Sequence, residues 1–327
     1  GLITLYLIFQ KYSLGLNQDL SSLFWILQLY FCYFLSLYFY SNFKVDLYAF
    51  VRPILKMGIL SSTIGYLQIF LNTRFLPSSL DQSLDPDIFR SPIFGLYRLS
   101  GFSLSPNAFG LFTSFVICLA IAYRKELIRS KYKINIFLLY VFPTLILSFS
   151  RGSILLLLII IPFFLFPIQK IIINMIFVIS ICLLIILSRN IDIIKSFLEL
   201  NPRTEYITYI LSYLNFIDPL NLLFGIGFSD EVLYLVRFSD NFVVEVLISG
   251  GVILFSLLII FCSNIYKGTK FLFNKSRILK ISSFYILLSM LFYSSLNLVY
   301  FSTIPLFIIF YGSHYITSTK RIKIVNA

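Results

Sequence analysis

The chain has 327 residues, 59% of them hydrophobic and only 12% charged, with a mean hydropathy of +0.92. That balance excludes a soluble globular domain as the organising unit. A net charge of +12 does not point to nucleic acid, because the basic residues fall in short clusters between apolar runs, where orientation in a membrane accounts for them.

A bilayer core needs roughly 17 to 25 mostly apolar residues per helix, and such runs recur along the whole length, so the chain is expected to be one all-α transmembrane domain over 1–327 with about ten spans. In chain order these are Gly1 to Phe9 (partial), Leu20 to Tyr40, Ile54 to Leu71, Asn107 to Tyr123 and Ile134 to Phe149. Then follow Ser153 to Ile168, Ile171 to Ser188, Asn241 to Ser263, Ser282 to Val299 and Thr303 to Ile316. Gly1 opens inside an apolar run, so an N-terminal helix or helices are expected to be missing from the sequence. Cys32, Cys118, Cys182 and Cys262 each lie in an apolar run without CxxC spacing, and read as small core residues, neither disulfides nor metal ligands.

Orientation follows from Lys and Arg. The connections Arg124 to Lys133 and Lys267 to Lys280, and the tail carrying Lys320, Arg321 and Lys323, fall on one side, which is therefore cytoplasmic. Two long external segments remain, 72–106 and 189–240, and they hold most of the acidic residues. Their basic residues are mainly arginines, whereas the cytoplasmic connections are rich in lysine. A guanidinium offers a planar fork of donors that fits phosphate oxygens, so external arginines suggest an anionic ligand; pairing with loop carboxylates is the plainer explanation.

Arg151 stands out. It sits in Ser150-Arg151-Gly152-Ser153, a polar break between two apolar runs with almost no loop to solvate it. An arginine at mid-helix costs roughly 2.5 to 3.5 kcal/mol on insertion scales, less near the interface, which makes it a functional candidate. A second cluster, Asn201-Pro202-Arg203-Thr204-Glu205, opens an aromatic amphipathic stretch that leads to Asp218-Pro219-Leu220 and Gly225-Ile226-Gly227. Asn-Pro is a helix-start signal, and the Gly-x-Gly pair reads as a turn and not a nucleotide loop.

A third cluster runs from Arg237 through Asp240-Asn241 to Glu245 and Gly250-Gly251, where the external segment enters a span. Asp240 and Asn241 could cap that helix, but Glu245 lies one turn further in, where a carboxylate needs a partner or a task. The fourth is Arg98-Leu99-Ser100-Gly101-Phe102 with Pro106-Asn107, a turn and a helix cap. His314, the one histidine, lies at the cytoplasmic end of the last span, so no histidine base or histidine metal site is available outside.

In order, these clusters resemble the O-antigen polymerase and O-antigen ligase superfamily. Its members carry a similar Arg-x-x-Gly-Phe and Pro-Asn segment, a Ser-Arg-Gly turn, an Arg-led amphipathic segment ending in Pro-Leu-x-Gly-x-Gly, and a His-Asn helix start followed by Gly. Here the corresponding residues are Arg98 to Asn107, Ser150 to Gly152, Arg203 to Gly227 and Asp240 to Gly251. Asp240 stands where the ligases have histidine, which favours the polymerase branch, and Tyr206 replaces a frequent tryptophan.

The resemblance implies a GT-C-like fold and a glycosyl transfer that uses no metal or other cofactor, on the outer face of the bacterial cytoplasmic membrane. An undecaprenyl-pyrophosphate-linked oligosaccharide would be the donor. Another lipid-linked repeat unit would be the acceptor, and a protein that regulates chain length a partner. On this reading Arg151 and Arg203 hold the pyrophosphate and Arg98, Asn107 and Arg237 support substrate. Asp240 is the candidate general base, with Glu245 as its rival and Asn241 as its orienter. The alternatives are an O-antigen ligase and, in another class, a flippase or transporter of lipid-linked sugar, for which internal repeats would be expected and none is evident.

Overall fold

The computed structural model describes Tyr6, 20–43, 47–73, 97–103, 105–122, 131–165, 219–227, 242–273, 277–292 and 303–314. Among these residues the chain is helical, with a single isolated bridge residue at Tyr97 and no strand. The helices are α1 (Leu20–Phe43), α2 (Val51–Leu71), α3 (Pro106–Ala122), α4 (Lys131–Leu147) and α5 (Arg151–Leu165). They continue with α6 (Pro219–Phe224), α7 (Phe242–Phe273), α8 (Arg277–Phe292) and α9 (Thr303–His314). Where they fall on described residues, the expected apolar runs at Leu20, Ile54, Asn107, Ile134, Ser153, Asn241, Ser282 and Thr303 are helical, apart from the turn that Ser148 and Phe149 make after α4. The run Ile171 to Ser188 lies outside the described residues. Among the described helices α2 is long and apolar enough to cross a membrane by length and composition, and six others are apolar over 10–17 residues.

The chain divides into two compact units, one of Gly1–Leu47 with Asn201–Ala327 and one of Tyr48–Leu200. In the second unit α2 packs on α3 and α4, and α3 packs on α5. Small residues set these approaches: a Cβ on Gly58 would stand 2.6 Å from Val116 Cγ1, and one on Gly110 only 2.4 Å from Ser150 Cβ. Hydroxyls join the helices where side chains meet, with Ser62 Oγ 3.1 Å from Thr144 Oγ1 and Thr63 Oγ1 2.8 Å from Tyr140 OH. Tyr66 OH donates to the Tyr140 carbonyl at 2.8 Å, beside Pro143, whose ring removes a backbone donor from α4. Helix α2 ends in a left-handed Asn72 (φ 48°), with Asn72 and Thr73 N–H groups returning to the Ile69 and Gln68 carbonyls.

In the first unit α1, α8 and α9 share a core of Cys32, Ile286, Leu306 and Ile309. Gln28 Nε2 donates to Thr303 Oγ1, and the Tyr33 ring lies against Phe310 and His314. Cys32 and Cys118 are free and buried, as their apolar settings imply. The sequence reading of one continuous span from Asn241 to Ser263 needs correction. Helix α7 breaks at Gly251, whose φ of 67° and ψ of −175° only glycine adopts readily.

Candidate functional site

Two of the sequence clusters, that of Arg98 to Asn107 and that of Ser150 to Ser153, meet in the second unit, at the joint between α4 and α5. Helix α4 ends at Leu147, Phe149 turns the chain with a left-handed φ of 50°, and α5 starts at Arg151. The segment beginning at Tyr97 lies against that joint. Its Leu99 N–H donates to the Leu147 carbonyl at 3.3 Å, Arg98 Nε to Ser148 O at 3.1 Å, and Arg98 Nη2 to Phe149 O at 3.3 Å. Three successive carbonyls at the end of α4, which a helix leaves without internal partners, are thereby satisfied by two residues. Arg98 Nη2 also donates to Asn107 Oδ1 at 3.1 Å, tying the joint to the first turn of α3.

Asn107 is not the cap of that helix. Ser105 Oγ accepts the Ala108 N–H at 3.1 Å, the usual N-cap geometry, which leaves the Asn107 side chain to receive Arg98. Behind the joint Ser150 Oγ and Ser153 Oγ are 2.8 Å apart, and both press against Gly110.

The two arginines therefore occupy opposite electrostatic positions. Arg98 places its charge on the carbonyls that end α4, the negative end of a helix dipole, where a cation is stabilised by about 0.3 to 1 kcal/mol. Arg151 is the first residue of α5, the positive end, where a cation is disfavoured by a similar amount and an anion is attracted both by the guanidinium and by the amides of the first turn. Arg151 is half-buried at the start of its helix.

No protein-family model, characterised protein or solved structure matches the chain.

The first unit carries the remaining described candidate, Glu245. It lies in the first turn of α7 and is 2% exposed, six residues before the break at Gly251. The break is filled by the Gly225-Ile226-Gly227 turn that follows α6: Ile226 N–H donates to Ile248 O at 3.1 Å and Gly227 N–H to Ser249 O at 3.0 Å. Tyr6 OH lies 2.8 Å from Phe224 O and 2.9 Å from Gly250 O, so it bridges both strands of this crossing. The Gly-x-Gly pair is a turn, as its sequence suggests, but a turn built to dock on a broken helix.

Arg203, Arg237, Asp240 and Asn241 lie outside the described residues, as does most of 189–240. Among the described residues no group of three or more His, Cys, Asp or Glu side chains could hold a metal ion. Sequence reasoning missed Gln68. It is 2% exposed on α2, and its carboxamide grips the next turn of the Arg98 segment: Oε1 accepts Ser100 N–H at 3.1 Å and Gly101 N–H at 3.0 Å, while Nε2 donates to Ser100 Oγ at 3.0 Å. The available signal was a lone carboxamide in an apolar helix one turn from its end.

Proposed function

We propose that the chain is a polytopic membrane glycosyltransferase that polymerises lipid-linked oligosaccharide repeat units on the outer face of the cytoplasmic membrane. The membrane setting is supported by the apolar exterior and the hydroxyl-bearing interfaces of the helices. Large apolar residues such as Phe31, Phe34, Phe70, Leu139 and Ile260 face outward, while Ser61, Ser62, Ser114, Thr144, Ser148 and Ser153 are buried between helices. Small and hydroxyl-bearing interfaces with an apolar exterior are what a bilayer demands of a helix bundle.

The observation that carries the enzymatic reading is the joint at Arg151. The Arg98–Asn107 cluster is hydrogen-bonded to Ser148 and Phe149, directly ahead of the Ser-Arg-Gly turn whose arginine opens α5. A lipid-pyrophosphate leaving group gains charge as the glycosidic bond breaks, and preorganised donors at that point stabilise the transition state. Outside the cytoplasm there is no ATP, so an activated donor carried on a lipid is the fitting source of drive. The roles of further donors for Arg203 and Arg237, and of proton acceptor for Asp240 or Glu245, rest on the sequence resemblance alone.

The decisive experiment is a ladder of surface polysaccharide from a null strain complemented with wild type or Arg151→Ala. Single repeat units in the null and the variant, with a ladder restored by wild type, support polymerisation. Full-length polymer retained on its lipid carrier would mean a ligase. A second reading, transport of the lipid-linked sugar, is favoured by the broken helix α7 and buried Glu245, since discontinuous helices line transporter sites; absence of lipid-linked repeats outside the null strain would select it.

A further inference from the structure

We infer that Gln68 is a positioning residue of this site, acting through Arg98 on the turn that presents Arg151; the kinetic part of this inference rests on the polymerase reading above. The chain of contacts is continuous. Gln68 holds both N–H groups of Ser100 and Gly101 with one oxygen, and its Nε2 reaches Ser100 Oγ and, at 3.4 Å, the Gly101 carbonyl. Gly101 has a φ of 55°, and a Cβ there would meet Phe109 and Ser61 atoms at 2.6 Å, so the turn fits in one position only. Two residues upstream of Ser100, the Arg98 side chain closes on Ser148 O, Phe149 O and Asn107 Oδ1.

From α2 the carboxamide serves the turn through both its oxygen and its nitrogen. Replacing it with an apolar residue of similar size strands two buried N–H groups, and a buried donor without a partner drives rearrangement. The segment would then shift, and Arg98 could not keep three acceptors at once. The result at Arg151 is a displacement of a charge whose value lies in its placement, where about 1 Å can cost on the order of 100-fold in rate.

The test uses the full chain in lipid nanodiscs with lipid-pyrophosphate-linked repeat units, comparing Gln68→Met, Gln68→Glu, Arg98→Ala and the double variant Gln68→Met/Arg98→Ala. Amide hydrogen exchange of peptides covering 97–103 and 147–153 should quicken in Gln68→Met and return toward wild type in Gln68→Glu, whose carboxyl can still accept both N–H groups. Turnover should fall on the order of 100-fold in Gln68→Met with KM changed far less. Adding Gln68→Met to Arg98→Ala should slow the enzyme no further, because both act through one turn. Unchanged exchange at 147–153, or a multiplicative double variant, overturns the inference. An inactive wild type with the exchange pattern intact refutes the enzymatic reading and leaves the positional one standing.

Discussion

Gly225 and Gly251 meet backbone to backbone: a Cβ on Gly225 would lie 2.6 Å from Gly251 N, and one on Gly251 would lie 2.4 Å from Gly225 N. Both have positive φ, 79° and 67°. Alanine at either position combines conformational strain of about 1 to 3 kcal/mol with a clash against backbone that cannot swing aside. Gly251→Ala and Gly225→Ala are expected to lower the unfolding temperature of the purified protein markedly. A Gly251→Ala protein as stable as wild type would mean that α7 runs unbroken.

Tyr6 tests the same crossing from its far side. Tyr6→Phe removes one hydroxyl near two buried carbonyls, Phe224 O and Gly250 O, and should cost about 1 to 3 kcal/mol without altering the ring's packing. Chemical denaturation in mild detergent would read the loss, and Tyr6→Phe should add little to Gly251→Ala, since the carbonyls it serves are already displaced.

Arg98 is expected to matter for stability and Arg151 for polymer. Arg98→Ala strands carbonyls at the end of α4 and is expected to destabilise by about 1.5 to 3 kcal/mol, the range for bonds to a charged group. Arg151→Ala removes a cation from the positive end of α5 and should abolish polymer while the protein still inserts. Inorganic pyrophosphate should raise the unfolding temperature of wild type and not that of Arg151→Ala. Equal stabilisation of both proteins would remove Arg151 from the anion site.

The two carboxylates can be ranked by rate. If Asp240 is the general base, Asp240→Asn should lower turnover by about 100- to 10,000-fold, with Glu245→Gln acting mainly through stability at its buried position. A reversed pattern, with turnover lost in Glu245→Gln and spared in Asp240→Asn, would reassign the role.

How far the sequence foretold all this depends on the distance over which each feature is decided. Apolar runs are local, and the helices at Ile54, Asn107 and Ile134 appear where composition puts them. The order of Arg98, Asn107 and Ser150-Arg151-Gly152 was visible, but their union was not, because Arg98 reaches carbonyls 50 and 51 residues away. Assigning Arg98 to substrate followed from the resemblance; its backbone partners, Ser148 O and Phe149 O, leave no mark in sequence. Gln68 escaped notice because one carboxamide in an apolar helix is ordinary until the turn it clasps, 32 and 33 residues on, is known. Gly250-Gly251 stood in the sequence only as a glycine pair after a helix start, and the break needed the docking turn at Gly225 to be recognised.

That break also fixes a depth. At about 1.5 Å per residue, Phe242 to Gly250 rises roughly 13 Å and the apolar run from Val252 to Cys262 roughly 16 Å, together close to the hydrocarbon thickness of about 30 Å. On the membrane reading, the Gly225–Gly227 turn would sit near the bilayer midplane. Non-helical backbone survives there only when enclosed by protein, and both glycines are buried. A donor tethered to a long polyprenyl chain would then meet this part of the protein sideways, without leaving the lipid phase.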